Sequence, residues 1–251
     1  MPRVVGALIL REMATTYGKS PGGYLWAVLE PTLGIMVMAL GFSLLVRTPP
    51  VGDNFMLFYA TGLLPFSMYM DLSNKISGSI TFSRQLLAYP SVTFIDAILA
   101  RFLLNALMQM LVFYIILGGI IVIFQPEMIM NISQIALALS LIMYLALGIG
   151  LFNCFMFSYY PLYRQLWGIA TRPLLICSGV FFTYDSLPPA LQDWLWFNPI
   201  LQIVGLMREG VYFQYDASYV SLSYIILFAS VPALAGLFFL RRYYRVILYE
   251  M

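Results

Sequence analysis

The chain has 251 residues, of which 62% are hydrophobic and only 10% are charged, and its mean hydropathy is +0.88. Average soluble domains contain about 45–50% apolar residues, so this composition excludes an ordinary soluble fold. A net charge of +2 is too small to indicate a nucleic-acid-binding protein. The chain has no histidine, and Cys154 and Cys177 form no CxxC pair, so neither a metal-ligand cluster nor a disulfide framework is indicated.

A short amphipathic helix precedes the first apolar run, over about 1–22. The apolar stretch Val4–Leu10 is too short to cross a membrane. Arg3 and Arg11 lie two four-residue steps apart and therefore share one face, while Glu12 interrupts the apolar opposite face. This pattern indicates a helix that lies along the membrane interface.

Six long apolar runs predict an all-α integral membrane bundle of six transmembrane helices, in a single domain that covers 1–251. A hydrocarbon core ~30 Å thick needs roughly 20 apolar helical residues to cross it. Charged residues are almost absent within the runs and collect between them. The predicted spans are about 27–46, 55–73, 98–124, 134–157, 165–184 and 220–240.

The distribution of Lys and Arg predicts that both termini face the cytoplasm. Ten of these 13 residues lie in the termini and loops of one side, only Arg47 and Arg208 lie on the other side, and Arg172 lies inside the fifth run. Positive charge is retained on the cytoplasmic side of membrane proteins. We therefore expect the loop 74–97 in the cytoplasm and the segment 185–219 outside.

The cytoplasmic loop 74–97 is long enough for a helix and a turn, with Pro90 at the turn. The chain has no nucleotide-binding motif, because Gly18-Lys19-Ser20 has Met13 where a phosphate-binding loop needs a glycine. If the chain takes part in active transport, and because the sequence shows no clear ion relay, we expect the energy to come from a partner that contacts the cytoplasmic surface. The residues predicted to couple to that partner are Lys75, Arg84, Gln85 and Tyr89.

The outer segment 185–219 is rich in apolar and aromatic residues. Pro188-Pro189 can start a helix, and Asn198-Pro199 interrupts it and leaves room for a second helix from about Ile200 to Phe213. Neither helix is long enough to span. The pattern predicts a re-entrant hairpin that dips into the outer leaflet and packs on the bundle. An aromatic belt at the membrane interface is the alternative.

Aromatic side chains near the outer end of the fifth run and in the hairpin are candidates to line a conduit for a polysaccharide. An aromatic ring can stack on the apolar face of a sugar while the sugar hydroxyls stay hydrated. Because 16% of the chain is aromatic, many rings must simply pack or face lipid. The residues predicted to line the channel or its gate are Phe181, Phe182, Tyr184, Trp194, Trp196 and Phe197.

Five ionisable residues fall within or at the ends of the spans: Glu30, Asp71, Asp96, Arg101 and Arg172. Such groups are costly in lipid and usually face the protein interior, paired or hydrated. Our hypothesis is that Arg172 pairs with Glu30 or with Asp96. The alternative is that each residue anchors its helix at the inner interface, with a long side chain reaching the headgroups.

Several motifs in order along the whole chain resemble those of one membrane-protein family. The run from Arg11-Glu12 through Gly18-Lys19-Ser20 to Glu30-Pro31 looks like the amino-terminal signature of type-2 ABC exporter permeases for polysaccharides. The resemblance is closest to capsular polysaccharide exporters, and O-antigen exporters are near relatives. The further matching motifs are Ser178–Phe182 with Leu187-Pro188, Asn198-Pro199-Ile200 and Arg208-Glu209-Gly210.

The resemblance implies a homodimer in the bacterial inner membrane with two copies of a separate ATPase, which binds ATP and Mg²⁺; this chain itself holds no cofactor, metal or catalytic residue. It implies an interface helix over about Arg3–Ser20, a coupling helix within Lys75–Tyr89 and re-entrant gate helices. The implied substrate is a lipid-linked polysaccharide, with periplasmic and outer-membrane export proteins as further partners. The alternatives are an O-antigen, teichoic-acid-type, drug or lipid exporter, and, in another class, a membrane-embedded glycosyltransferase or polymerase.

Overall fold

The computed structural model describes residues 2–17, 23–44, 47–87, 89, 92–124 and 130–250. The part of the chain it describes is helical and contains no β-strand, so the all-α prediction is confirmed. Pro2–Glu12 forms α1, which one stretch of π-helix, Met13–Tyr17, continues. The other helices are α2 Gly23–Ser43, α3 Phe55–Ser77, α4 Ser79–Leu87, α5 Phe94–Phe124, α6 Ile132–Tyr159, α7 Pro161–Ala170, α8 Leu174–Cys177, α9 Pro189–Leu195, α10 Pro199–Val211 and α11 Leu222–Glu250.

Four of these helices, α2, α5, α6 and α11, are long and apolar enough to cross a membrane. They coincide with the first, third, fourth and sixth predicted spans, although residues 45 and 46 of the first lie outside the described residues. α5 starts four residues earlier than predicted because of a reciprocal cap. The hydroxyl of Thr93 accepts from the Asp96 N–H at 3.2 Å, and the Asp96 carboxylate accepts from the Thr93 N–H at 3.1 Å.

The second predicted span corresponds to α3, which begins at Phe55 as expected. Asn54 caps it, since its side-chain oxygen accepts from the Met56 N–H at 2.8 Å. α3 carries Asp71 and Lys75 and is not one of the four apolar helices. It lies instead inside the bundle, in contact with α2, α5, α6 and α10. A helix covered by protein does not need a uniformly apolar surface to sit at membrane depth.

The fifth predicted span, 165–184, is not one continuous helix. The turn Thr171–Pro173 separates α7 from the single-turn helix α8. Pro173 causes the interruption because proline has no N–H and its ring clashes with the carbonyl four residues earlier. Gly179 then has a φ of +71°, which favours glycine, and the chain stays non-helical until a short 3₁₀ turn begins at Tyr184.

α6 is the central helix and packs most closely on α11. A Cβ added at Gly148 of α6 would collide with the main chain of Ala229 of α11. A Cβ added at Gly236 of α11 would lie 2.6 Å from the main chain of Leu151. Helices in membranes associate through such close packing at small residues, because lipid provides no hydrophobic force between them. The two glycines therefore fix the spacing of this pair.

Two short helices occupy the segments at the end of the bundle that the sequence assigns to the cytoplasm. α1 covers the first half of the predicted 1–22 helix, and residues 18–22 lie outside the described residues. α4 is the helix expected within 74–97, and it is separated from α3 by Gly78. The predicted turn residue Pro90 also lies outside the described residues.

Candidate functional site at the two ends of the helix bundle

The segment predicted to be an outer hairpin contains two short helices, α9 and α10, separated at Asn198-Pro199 as the sequence predicts, and we keep the name hairpin for these two helices. Pro189 occupies the first turn of α9. Asn198 caps α10, because its side-chain oxygen accepts from the Ile200 N–H at 3.0 Å. The side-chain amide of Asn198 also donates to the carbonyl of Cys177 at 2.9 Å. Asn198 thus starts α10 and fixes the turn to the end of α8.

Arg208 holds α10 against the non-helical segment Val180–Phe182. Its side chain is only 1% exposed. Nη1 donates to the Phe182 carbonyl at 2.7 Å, and Nη2 donates to the Val180 carbonyl at 3.1 Å. The guanidinium lies over the ring of Phe58 in α3, 4.2 Å from its centroid. Arg208 therefore links the hairpin, the broken fifth segment and α3.

Three of the six aromatic candidates are engaged within their own chain. Phe181 packs against the ring of Phe42, with centroids 5.5 Å apart. Tyr184 stacks on Tyr219, with centroids 4.0 Å apart. The indole N–H of Trp196 donates to the Tyr219 carbonyl at 2.9 Å. Rings held in this way stabilise the hairpin and its surroundings.

The other three aromatic candidates present ring surface at the outside of the protomer. Trp194 is 81% exposed and Phe197 is 63% exposed, while Phe182 is half-buried. Trp194 and Phe197 are thus the most exposed of the six candidates, although the Phe197 ring also meets the Trp196 ring edge-on, with centroids 5.5 Å apart. An exposed ring is free to stack on a ligand, whereas a packed ring must first leave its neighbours.

Two tyrosines in the segment between α10 and α11 are hydrogen-bonded to each other. The hydroxyl oxygens of Tyr215 and Tyr219 are 3.2 Å apart. Burial raises the pKa of Tyr215 and, more strongly, the pKa of Tyr219. A Cβ at Gly205 of α10 would collide with the Tyr219 hydroxyl, so this phenol lies directly against the hairpin. Both phenols remain neutral at physiological pH, and their hydrogen bond persists there.

The four predicted coupling residues cluster at the other end of the bundle. Arg84 and Gln85 are adjacent and exposed on α4, whose opposite side is buried. Tyr89 is 63% exposed just beyond the end of α4. Lys75 is half-buried in the last turn of α3. The structure thus presents a polar surface of α4 to any partner on this side.

A buried ion pair connects α1 to α5. Glu12 accepts from Nε of Arg101 at 3.0 Å, and the two side chains are 3% and 9% exposed. The side-chain amide of Asn105 donates to the Arg101 carbonyl at 2.7 Å. Arg101 also lies over the ring of Phe82 in α4, 4.3 Å from its centroid. In the sequence Glu12 only interrupts an apolar face and Arg101 only marks the start of a span, so neither residue indicates the other as its partner.

The hypothesis that Arg172 pairs with Glu30 or Asp96 is wrong for the described protomer. Arg172 and Glu30 are both exposed, and the one ion pair among the described residues joins Glu12 and Arg101. Asp96 is buried and bonds to Thr93 as the cap of α5. A carboxylate that already accepts a local main-chain N–H serves the helix start rather than a distant cation.

A family model described as ABC-2 type transporter matches residues 3–212, which include α1, the bundle core and the hairpin. The chain belongs to the ABC-2 type transporter family. The resemblance found in the sequence motifs is therefore confirmed. The chain is therefore an ABC-2 permease.

The relatives of this ABC-2 permease extend over nearly its whole length. It is 33% identical over 233 residues to the polysialic acid transport protein KpsM of Escherichia coli. This alignment covers 93% of this chain and 90% of KpsM. It is 30% identical over 235 residues to the capsule polysaccharide export inner-membrane protein CtrC of Neisseria meningitidis serogroup B, covering 94% and 89%. It is 28% identical over 245 residues to the capsule polysaccharide export inner-membrane protein BexB of Haemophilus influenzae, covering 96% and 91%.

Proposed function

We propose that this ABC-2 permease is the membrane subunit of an ATP-driven exporter that moves lipid-linked capsular polysaccharide from the cytoplasm across the inner membrane. The observation that carries the proposal is the near full-length likeness to three relatives whose names specify polysaccharide transport or capsule export. Because more than nine-tenths of the chain aligns with the first of them, the likeness covers the whole bundle rather than one motif.

The proposed membrane topology has six crossings. Four are α2, α5, α6 and α11. The fifth is α3, whose 23 residues span about 34 Å at 1.5 Å per residue. The sixth is the broken segment formed by α7, α8 and the residues up to Thr183. An even number of crossings places both termini on one side, and the positive charge of that side assigns it to the cytoplasm.

The proposed outer gate is the hairpin of α9 and α10, re-entrant from the outer side. The two helices have 7 and 13 residues, about 10 and 20 Å, and are too short to cross a core ~30 Å thick. Every residue of α10 except Glu209 is buried, which suits a helix that enters the bundle rather than one that lies on the membrane surface. Phe182, Trp194 and Phe197 offer ring surface to a passing sugar chain.

The proposed assembly contains two permeases and two copies of a separate ATPase, which carries the ATP and the Mg²⁺. α7 has no buried residue in the described protomer. Its exposed apolar side chains include Leu162, Leu166 and Ile169. We assign this face to the contact with the second permease and to the conduit between the two. The ATPase binds the exposed surface of α4 at Arg84 and Gln85 and moves it when ATP closes the ATPase dimer.

Deletion of the gene in its own host tests the function. We expect surface polysaccharide to disappear and polymer to accumulate inside the cell, because synthesis continues while export stops. The measurement is immunogold or lectin labelling of intact and of permeabilised cells, with plasmid-borne wild-type permease as the control. Purification of a tagged permease should also recover an ATPase whose turnover depends on the complex.

The same experiment discriminates between the alternatives. Loss of polymer both outside and inside the deletion strain would indicate a glycosyltransferase or polymerase, and it would refute the exporter. Unchanged capsule together with loss of O-antigen, of a teichoic-acid-type polymer or of drug or lipid export would refute the substrate class while leaving the ABC-2 permease intact.

A further inference from the structure

A cavity of about 530 Å³ lies at the hairpin end of the bundle, between the start of α6, the end of α10 and the start of α11. Its apolar walls include Leu137, Leu206 and Leu222. The charged side chain of the lining is Glu209, and no lysine or arginine of the described residues belongs to it. The cavity therefore combines apolar walls with a negative charge, so it favours a ligand that carries a positive group.

Glu209 is held in a fixed position in this cavity. The side-chain amide of Gln134 donates to its Oε1 at 2.8 Å. The main chains of α6 and α10 are also joined here: the Asn131 N–H donates to the Gly210 carbonyl at 2.8 Å, and a Cβ at Gly210 would lie 2.9 Å from the main-chain nitrogen of Ile135. No donor among the residues that the structure describes is hydrogen-bonded to Oε2 of Glu209. This oxygen is therefore available to a ligand.

The level of the cavity indicates a membrane lipid as the source of the positive group. α6 and α11 are both long and apolar enough to cross a membrane, and Ser133 and Leu222 line the cavity from their first turns. In the proposed topology this is the level of the outer headgroups. Leu137, one turn deeper in α6, and Leu222 are both exposed. Acyl chains can therefore continue from the cavity along these leucines, whereas a soluble ligand would leave them uncovered.

The ends of two helices decide which lipid headgroup suits the cavity. α6 and α11 both begin at it, and the start of a helix carries a partial positive charge that attracts phosphate. A headgroup with an ammonium at Glu209 and a phosphate near the helix ends satisfies both signs. Phosphatidylethanolamine has such a headgroup, and its primary ammonium keeps N–H donors as a lysine does. Phosphatidylcholine has the same charges but no N–H donor.

We infer that this cavity binds the headgroup of phosphatidylethanolamine from the outer leaflet through Glu209. The inference rests on the proposed function for its orientation in the membrane, and it adds a lipid site beside the proposed gate. The lipid ammonium donates to Oε2 of Glu209 while Gln134 holds Oε1, and the acyl chains follow the exposed leucines of α6 and α11. The bound lipid contacts α10 together with α6 and α11, so it stabilises the position of the hairpin.

Native mass spectrometry of the full-length permease, isolated with its attached subunits, tests the site. The probes are phosphatidylethanolamine and phosphatidylcholine with the same acyl chains. We expect the wild type to bind phosphatidylethanolamine about tenfold more tightly, the effect of one charge-assisted hydrogen bond, and Glu209→Gln to bind the two lipids equally. Leu222→Trp should weaken the binding of both lipids, because it fills part of the cavity. The matched control is Asp193→Asn, an exposed acid outside the cavity lining, which should keep the preference.

The outcomes separate this site from the proposed function. Equal binding of the two lipids by the wild type, an equal loss of preference in Asp193→Asn and Glu209→Gln, or unchanged binding in Leu222→Trp would overturn the site even if the deletion strain loses its capsule. A preference that Glu209→Gln abolishes and Asp193→Asn keeps, with weaker binding in Leu222→Trp, would support the site even if the exported polymer proves different. A wild type without preference, together with loss of surface polysaccharide in Glu209→Gln cells, would assign the cavity to a basic side chain of a protein partner and overturn the lipid site.

Discussion

Replacement of Arg208 by methionine should release the outer hairpin from the bundle. The side chain donates two charge-assisted hydrogen bonds and lies over Phe58. Two such bonds at about 2 kcal/mol each, with a desolvated cation–π contact of about 2 kcal/mol, stabilise the fold by about 6 kcal/mol. Burial of a guanidinium costs several kcal/mol, here taken as about 4. Methionine removes both contributions, so we expect Arg208→Met to lower the free energy of unfolding by about 2 kcal/mol.

Thermal unfolding of the purified permease in detergent measures this change. A loss of about 2 kcal/mol corresponds to a midpoint about 4–8 °C lower in a protein of this size. A local readout is the reaction of Cys177 with a thiol reagent, because the carbonyl of this residue accepts from Asn198 at the hairpin turn. The matched control is Arg47→Met, since Arg47 lies on the same side as Arg208 in the proposed topology but is exposed. A midpoint within about 1 °C of wild type, with unchanged reactivity of Cys177, would refute the anchoring role.

Three further changes test other parts of the structure. Glu12→Gln should lower the stability by about 3 kcal/mol, because it leaves the buried Arg101 without its counter-charge; an unchanged unfolding midpoint would contradict this. Gly236→Ala should lower the midpoint by forcing α11 away from α6, at a cost of about 1–3 kcal/mol, whereas Gly118→Ala, which has open space around it, should not. Joint replacement of the exposed Trp194 and Phe197 by alanine should preserve the midpoint and reduce surface polysaccharide, and wild-type export would count against their role in the gate.

The sequence predicts those parts of the fold that depend on local composition. Four apolar runs become helices of the expected type because about 20 residues without charge favour a membrane helix wherever they occur. The break at Asn198-Pro199 is also local, since asparagine caps and proline starts a helix. Pro173 carries the same kind of signal in the fifth run. The apolar residues around Pro173 favour one continuous span and so hide this signal. Proline nevertheless removes a main-chain hydrogen bond whatever its neighbours are.

The contacts that organise the candidate site are not local. Glu12 and Arg101 are 89 residues apart, and no spacing rule connects them. The partners of Arg208 are main-chain carbonyls. Every residue has such a carbonyl, so the sequence cannot indicate which ones accept these hydrogen bonds. Lys75, Arg84, Gln85 and Tyr89 stand close together in the chain, so their clustering could be predicted. Their contact with an ATPase stays a prediction.

The close approach of α6 and α11 determines where this molecule can bend. Sliding one helix along the other would drive the main chain at Gly148 or Gly236 into its neighbour. We therefore expect the pair to move as one rigid body and deformation to concentrate where helices end, for example at Thr171–Pro173, Gly179 and Asn198-Pro199. All three stops lie in the stretch between the end of α6 and the start of α10. In the proposed topology, a displacement at the cytoplasmic end would then rotate the short segments between α6 and α10 about their ends. The long helices would stay straight.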